Sequence, residues 1–169
     1  KAGKSAEKSL VITYEASAVS VSKNIGVTMG SYNDDNGSFY STVTNQVYNK
    51  ADATANQSKI DFLFYLGAQN ASTIASPADI QAKAVFEITN WTIHNETLFA
   101  ETTITAAEFD AIGDTYLFPE FTGTLTDVNH LESGDVIMFK TVDNKLGLIK
   151  VSSINGRGDY ISLDIVVSG

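Results

Sequence analysis

The chain has 169 residues, of which 43% are hydrophobic and 18% are charged, a composition typical of one folded domain and not of a disordered segment. Eleven basic residues against twenty acidic ones give a net charge of −9, which disfavours nucleic acid as a partner because both surfaces would be negative. The absence of cysteine excludes disulfides, thiolate metal sites and cysteine nucleophiles. No apolar run has the length of a transmembrane segment.

The N-terminal residues differ from the rest in composition. Residues 1–9 contain three lysines and no apolar pattern, so we expect a flexible tether ahead of a single globular domain at 10–169. Two short β-branched stretches follow, LVITYEA at 10–16 and NIGVTMG at 24–30, and both predict strands.

Three short helices are predicted from one N-terminal pattern. A side chain that can accept a hydrogen bond from the first turn is followed three residues later by an acid. These pairs are Asn49 with Asp52, Ser76 with Asp79, and Thr105 with Glu108. Free backbone N–H groups in a first turn favour negative charge, so these acids are assigned structural roles.

KIDFLFYLG, at 59–67, is the most apolar strand candidate. One face carries Ile60, Phe62, Phe64 and Leu66, and the other carries Leu63 and Tyr65. A strand that is apolar on both faces is predicted to lie in the middle of its sheet, with the short helices as covers. The later segment KAVFEITNWTIHN, at 83–95, shows strand-like alternation.

The C-terminal part predicts three successive strands, DVIMFKTV at 135–142, KLGLIKVSSI at 145–154 and YISLDIVVS at 160–168. The alternation in the last of these predicts a half-buried strand. Few short helices and many sequential strands predict an α+β fold, mainly antiparallel β-sheet, with a C-terminal three-strand meander. A β-sandwich is the alternative.

The segment GDTYLFPEFTGTLTD, at 113–127, is the main candidate for a binding site. It has no secondary-structure pattern, and long loops of this kind are often functional. Tyr116, Phe118 and Phe121 offer rings that suit a sugar face or a protein surface, and Glu120 offers a hydrogen-bond acceptor. The competing interpretation is that the rings fold back and close one end of the core.

Catalytic and metal chemistry finds little support. His94 and His130 lie in different segments, and no metal-binding, phosphate-binding or nucleophile motif is present, so we expect neither a metal site nor a cofactor. A glycosidase would need two facing carboxylates. The candidates weighed for such a pair are Glu87, Glu96, Glu101, Asp110, Asp114 and Glu120.

The tripeptide Arg157-Gly158-Asp159 matches a known adhesion signal. It lies between the last two predicted strands, where glycines and polar residues form turns. A turn explains its composition without any further role, so adhesion is the minor hypothesis.

Several longer stretches carry a family resemblance. They are GSFYS at 37–41, VY before a short Ala-rich helix, KIDFLFYLG, STIASP at 72–77, TAAEFDAI at 105–112 and LESGDVIMFKTVDNKLGLIKVSSI at 131–154. With these, the chain resembles a group of uncharacterised cell-surface or lipid-anchored proteins of Bacteroidetes-type bacteria. The resemblance implies export, with lipid anchoring through a cysteine upstream of Lys1, and it implies no catalytic residues.

The residues and the resemblance together predict a non-catalytic extracytoplasmic surface domain that binds a glycan or a protein partner. One alternative is a hydrolase that acts on glycans with a carboxylate pair. The other is a structural component of a surface assembly, which an unpaired edge strand or an exposed apolar patch would favour.

Overall fold

The computed structural model describes residues 17–32, 34–67, 71–155 and 159–169. The tether predicted at 1–9 and the strand predicted at 10–16 lie outside the described residues.

The described strands form two antiparallel sheets. The larger sheet contains, in spatial order, β6 (Leu98–Glu101), β9 (Val136–Lys140), β10 (Leu146–Ile154), β11 (Tyr160–Ser168), β1 (Val19–Gly30) and β7 (Thr115–Tyr116). The smaller sheet contains β3 (Gln46–Tyr48), β2 (Phe39–Ser41), β4 (Phe62–Gly67), β5 (Ala71–Ala75) and β8 (Asp127–Val128). The antiparallel prediction and the C-terminal meander β9-β10-β11 are confirmed, and the paired sheets give a sandwich-like architecture.

Three short helices accompany the sheets: α1 (Lys50–Ala55), α2 (Ile80–Val85) and α3 (Ala106–Asp110), with one 3-10 turn at Gln57–Lys59. Asn49 caps α1 by accepting a hydrogen bond from the Asp52 backbone. Thr105 and Glu108 form the predicted capping box at α3. No helix in the described ranges is long and apolar enough to cross a membrane.

The turn predicted after Ser76 is present at residues 77–78, but helix α2 begins later. Asp79 is its cap, and its carboxylate accepts hydrogen bonds from the backbone N–H groups of Gln81 and Ala82, each at 2.9 Å. The Ser76 hydroxyl accepts a hydrogen bond of 3.1 Å from the backbone of Ala78 within this turn. It also donates to the carbonyl of Asn95 and accepts from the backbone of Thr97. Ser76 therefore caps the turn and ties it to a second loop, but it does not start the helix.

The main core lies between the two sheets and draws on both. Phe62, Phe64 and Ile74 of the smaller sheet belong to the same buried cluster as Phe139 and Leu163 of the larger sheet. The rings of Phe62 and Phe139 meet edge to face, with centroids 5.7 Å apart. Edge-to-face contacts of this kind add to the stabilisation from burial alone.

The outer face of β4 is buried as well. Leu63 and Tyr65 pack in a second cluster with Ala53 of α1 and Ala82 of α2, so β4 is the covered central strand that its sequence predicts. Ile60, which precedes the strand, lies in this second cluster and not in the inter-sheet core.

The segment at 83–95 does not form the strand that its alternation indicated. Its first residues complete α2, and the rest has no helix or strand. Phe86, Ile88 and Trp91 are nevertheless buried in the second cluster, so the alternation reflects side chains that cover the smaller sheet from an irregular segment.

The last strand, β11, is more buried than predicted. It lies between β10 and β1, and Val166 on its second face is covered by Phe109 and Ile112, at α3 and directly after it. The half-buried prediction failed because a strand's own alternation carries no information about a helix that packs on its other face.

Phe64→Ala tests the importance of the inter-sheet core. We expect a loss of about 3–5 kcal/mol in the free energy of unfolding, because a fully buried ring is replaced by a cavity. Urea denaturation measures it. The matched control in the same strand is Leu66→Ala, since Leu66 is 38% exposed, and we expect its cost to stay below about 1 kcal/mol. Equal losses in the free energy of unfolding for the two variants would contradict the placement of Phe64 in the inter-sheet core.

Candidate functional site

The aromatic loop, residues 113–127, runs from the end of α3 to β8. Its start is held by β7, in which Tyr116 pairs with Val19 of β1. Its far part is held at Leu125, which exchanges backbone hydrogen bonds of 2.8 and 3.3 Å with Phe99 of β6. A Cβ on Gly123 would collide with the backbone carbonyl of Phe99, so only glycine allows this close approach.

The predicted ring residues lie partly inside the protein. Tyr116, Phe118 and Phe121 are half-buried and pack against the third buried cluster, on the outer face of the larger sheet. The rings of Tyr116 and Phe118 are nearly perpendicular, with centroids 5.0 Å apart. The Lys140 ammonium lies 5.5 Å from the centroid of the Phe121 ring, within the range of a cation–π contact.

These contacts give each ring a structural role while leaving part of each ring accessible. Glu120 is exposed between them. The loop therefore presents the predicted residues on one surface, and whether they bind a ligand stays a prediction.

A depression of about 330 Å³ adjoins this loop. Its apolar lining consists of Val19, Leu117, Phe118 and Leu146, and its remaining lining residues are Ser17, Asn144, Ser168 and Gly169. Leu117 is 50% exposed and Val19 is 43% exposed. Sequence reasoning missed both residues. The sequence did contain a signal for Leu117. It stands between Tyr116 and Phe118, and alternation predicts that it faces outward if those two rings pack inward.

A second depression, of about 400 Å³, lies between the end of β6 and the segment that leads into β9. Its rim includes Glu101, Asn129, His130 and Asp135. In the described ranges, no group of three or more histidines and acids is placed to hold a metal ion.

The carboxylates weighed for a glycosidase pair are dispersed over different elements. Glu87 forms an ion pair of 3.3 Å with Lys50, and Asp110 forms one with Lys150. Burial raises the pKa of a different carboxyl, Asp61, which accepts hydrogen bonds of 2.7 and 2.8 Å from the backbone and hydroxyl of Thr42. These bonds make Asp61 a brace between β2 and β4.

Lys150 lies in a cluster of charges on the larger sheet. Its ammonium contacts Asp110 and also Asp164, the latter at 2.9 Å, and it lies 5.4 Å from the centroid of the Phe109 ring. Asp164 also accepts a hydrogen bond of 2.8 Å from the backbone N–H of Gly26, at a register shift in β1. The cluster thus joins α3, β10, β11 and β1, so we assign it a role in stability.

Partial burial would raise the pKa of Asp164, but the hydrogen bonds from Lys150 and Gly26 outweigh it, so the pKa lies below its ordinary value. The hydrogen bond to Asp110 raises the pKa of Lys150, with a further contribution from Asp164. Both groups therefore stay ionised across the neutral range.

The adhesion tripeptide is described only at its last residue. Arg157 and Gly158 lie outside the described residues. The backbone carbonyl of Asp159 accepts a hydrogen bond of 2.7 Å from Ser31, and Asp159 lines a small depression with Tyr32 and Tyr160.

The outer edge of β1 is relevant to the alternative that the protein is a structural component of a surface assembly, because an unpaired edge strand would favour that alternative. Beyond Val21, no described strand pairs with this edge. The edge is interrupted by the register shift between Asn24 and Val27, where Gly26 has a positive φ of 71°. A bulge of this kind discourages another strand from adding to a sheet. The nearby Lys23 is engaged within the protein, because its ammonium donates to the carbonyl of Ile112.

The sequence matches no protein-family model and no curated protein. The fold is similar to the crystal structure of a DUF4466 family protein from Parabacteroides merdae ATCC 43184, with a TM-score of 0.59 and 13% sequence identity. The match covers 88% of this chain and 53% of that one, so this chain spans about half the length of its structural neighbour. At this identity the likeness establishes the fold alone. The neighbour belongs to an uncharacterised family from a bacterium of the Bacteroidetes, the group indicated by the sequence resemblance.

Asp164→Asn tests the charge cluster. Asp164 has a lowered pKa in the folded state, so its contribution to stability is present above the pKa of the unfolded chain and is lost as the pH falls through the folded value. We expect a loss of about 2 kcal/mol at pH 7, because charged hydrogen bonds are removed. The difference from the wild type should shrink below about pH 4.

Chemical denaturation as a function of pH measures this difference. The matched control is Asp110→Asn, because Asp110 contacts the same ammonium from an exposed position. We expect its cost to be below about 1 kcal/mol. A cost for Asp164→Asn that does not change with pH would contradict the electrostatic explanation.

Proposed function

We propose that this chain is a non-catalytic, extracytoplasmic surface domain that binds a protein partner through the aromatic loop. The observation that carries the proposal is the depression beside Leu117 and Phe118, whose apolar side chains are only partly covered by the rest of the chain. Exposed apolar surface around a depression is typical of an interaction site.

The accessible lining is more apolar than polar, which favours an apolar side chain of a partner as the occupant. Val19, Leu117, Phe118 and Leu146 provide the apolar area. Ser17, Asn144 and Ser168 add side chains that can form hydrogen bonds with the polar groups of a protein partner. A volume of about 330 Å³ lies at the lower end of the range for ligand pockets, which suits one or two side chains of a partner.

The surroundings of the depression supply rigidity and charge. Phe118 is braced by Tyr116, so the wall of the depression is formed before any partner arrives, which lowers the entropy cost of binding. Lys140 beside Phe121 places a positive charge near the loop on a chain that is acidic overall. A partner with an apolar anchor and a nearby acid fits this surface.

The extracytoplasmic location rests on the family resemblance, which implies export and a lipid anchor upstream of Lys1. The fold likeness to a Parabacteroides protein is compatible with it. In such a location the domain would be held at the cell envelope by its N-terminal residues and would expose its loops to other molecules.

Leu117→Ser tests the binding surface. Selection from a displayed library of random peptides should yield ligands with a large apolar residue. The variant should bind them about tenfold more weakly, because a contact at the depression is lost. Its free energy of unfolding should change by less than about 0.5 kcal/mol, since the side chain is half exposed.

Ile80→Ser is the control, because Ile80 is exposed on α2 and does not line the depression beside Leu117. It should bind the selected peptides like the wild type. Peptides that lack an apolar anchor, or equal affinity for Leu117→Ser and the wild type, would contradict the proposal.

The location can be tested by fractionating source cells. We expect the full-length protein in the envelope fraction, extractable by detergent and labelled by radioactive palmitate. Protein that is found in the cytosol and carries no label would contradict the anchoring proposal.

A further inference from the structure

Two adjoining depressions lie where the turn after β1 meets the start of β11. One has a volume of about 330 Å³ and the other about 240 Å³, and both are lined by Tyr32 and Asp34. We call them together the tyrosine groove. Its further lining used below comprises Asp35, Asn49, Lys50, Phe86, Asp159 and Tyr160. None of these residues belongs to the aromatic loop.

Two partly exposed tyrosine rings line the groove. Tyr32 is 40% exposed and Tyr160 is 38% exposed. The edge of the Tyr32 ring is fixed by the buried Phe86, with ring centroids 5.6 Å apart. Tyr160 is the first residue of β11 and pairs with Gly30 of β1, so its backbone is fixed by the sheet. The Lys50 ammonium approaches one face of the Tyr32 ring, 5.9 Å from its centroid. The exposed parts of the two held rings offer contact area at low entropy cost.

A carboxylate is held beside the rings. Asp34 accepts hydrogen bonds of 2.8 Å from both the backbone and the side-chain amide of Asn36. Slight burial would raise its pKa, but these hydrogen bonds and one from the Tyr160 hydroxyl keep the pKa of Asp34 below its ordinary value. The bond to Asp34 in turn raises the pKa of Tyr160. Asp34 is therefore an ionised acceptor at neutral pH, in a fixed position.

The two ends of the turn that carries these groups are tied to neighbouring strands. The Ser31 hydroxyl accepts a hydrogen bond of 2.9 Å from the backbone of Leu66, and the Ser31 carbonyl accepts one of 3.1 Å from the hydroxyl of Ser38. Gly37 has a φ of 80°, and a Cβ there would collide with the carbonyl of Tyr48, so this position requires glycine. These contacts fix the described ends of the turn before any ligand binds.

The charges of the groove select among ligands. Among the described lining residues, Asp34, Asp35 and Asp159 would repel an anion, and the one cation, Lys50, is paired with Glu87 at 3.3 Å. A ligand that presents hydroxyl donors to the carboxylates and an apolar ring face to the tyrosines matches the acids and the rings of the groove. Neutral sugars have both features.

We propose that the tyrosine groove binds a neutral oligosaccharide. Tyr32 and Tyr160 provide stacking surfaces, and Asp34 accepts hydrogen bonds from sugar hydroxyl groups. The amide of Asn49 adds a donor and an acceptor at the rim. This site is independent of the aromatic loop, so the two surfaces would let one domain bind a glycan and a protein at once.

The test uses the purified protein and an array of neutral hexasaccharides: β-1,4-glucan, β-1,4-xylan, α-mannan, β-galactan and chitin. Isothermal titration calorimetry then measures the affinity for those retained. We expect at least one to bind. Tyr32→Ala and Asp34→Asn should each weaken it by about tenfold or more. Leu117→Ser, in the aromatic loop, should leave it unchanged.

Tyr160→Ala adds a second ring test. Tyr160→Phe accompanies it because it keeps the ring while removing the bond to Asp34, so it should retain more affinity than Tyr160→Ala. Thermal denaturation of each variant establishes that it is folded. If Tyr160→Ala is unfolded, Tyr32→Ala and Asp34→Asn decide the outcome.

Four results would overturn the proposal: no hexasaccharide binds, binding survives Tyr32→Ala and Asp34→Asn, binding is lost in Leu117→Ser instead, or the protein binds oligolysine in preference to sugars. The last would show that the carboxylates recognise a cation. Sodium chloride distinguishes these ligands, because screening weakens an ionic contact and leaves the binding of a neutral sugar almost unchanged.

Discussion

The burial of β4 on both faces is the constraint on which the rest of the structure depends. Phe62 and Phe64 face the larger sheet, and Leu63 and Tyr65 face the short helices. Neither face alone would exclude water, so both the second sheet and the helical layer must assemble around this strand. The helices are too short to be stable on their own, and their apolar contacts with the sheet hold them in place. The candidate sites lie on segments that connect these layers: the aromatic loop joins α3 to β8, and the turn of the tyrosine groove joins β1 to β2.

The two sheets are joined on one side by backbone hydrogen bonds and on the other by a hydrogen bond between side chains. On one side, the end of the aromatic loop bonds first to Phe99 of the larger sheet and then, as β8, to β5 of the smaller one, with Gly123 allowing the close approach. On the other, Asn24 of β1 donates to the Tyr40 hydroxyl of β2 at 2.9 Å. The aromatic loop is therefore a structural strap as well as a candidate site, and its inner ring contacts follow from that position.

Sequence patterns within a few residues predicted the features that depend on interactions between neighbouring residues. The caps at Asn49 and Thr105, the central strand and the C-terminal meander follow from hydrogen-bonding groups and alternation within a few residues. The helix start at Ser76 and the strand at 83–95 were wrong. Contacts distant in sequence decide the strand at 83–95, and Asp79 caps the helix instead of Ser76. The aromatic loop was found because its composition is unusual. The tyrosine groove was not, since Tyr32 and Tyr160 are 128 positions apart and only the pairing of β1 with β11 brings them together.

The burial of Trp91 has a spectroscopic consequence. It is the only tryptophan of the chain, it packs against Phe39, and its indole N–H donates to the Thr54 hydroxyl of α1 at 3.1 Å. Its emission therefore reports on the layer between the helices and the smaller sheet, and not on the core between the sheets. Loosening of that outer layer would shift the fluorescence before the circular dichroism of the strands changes, which gives local opening a signal of its own.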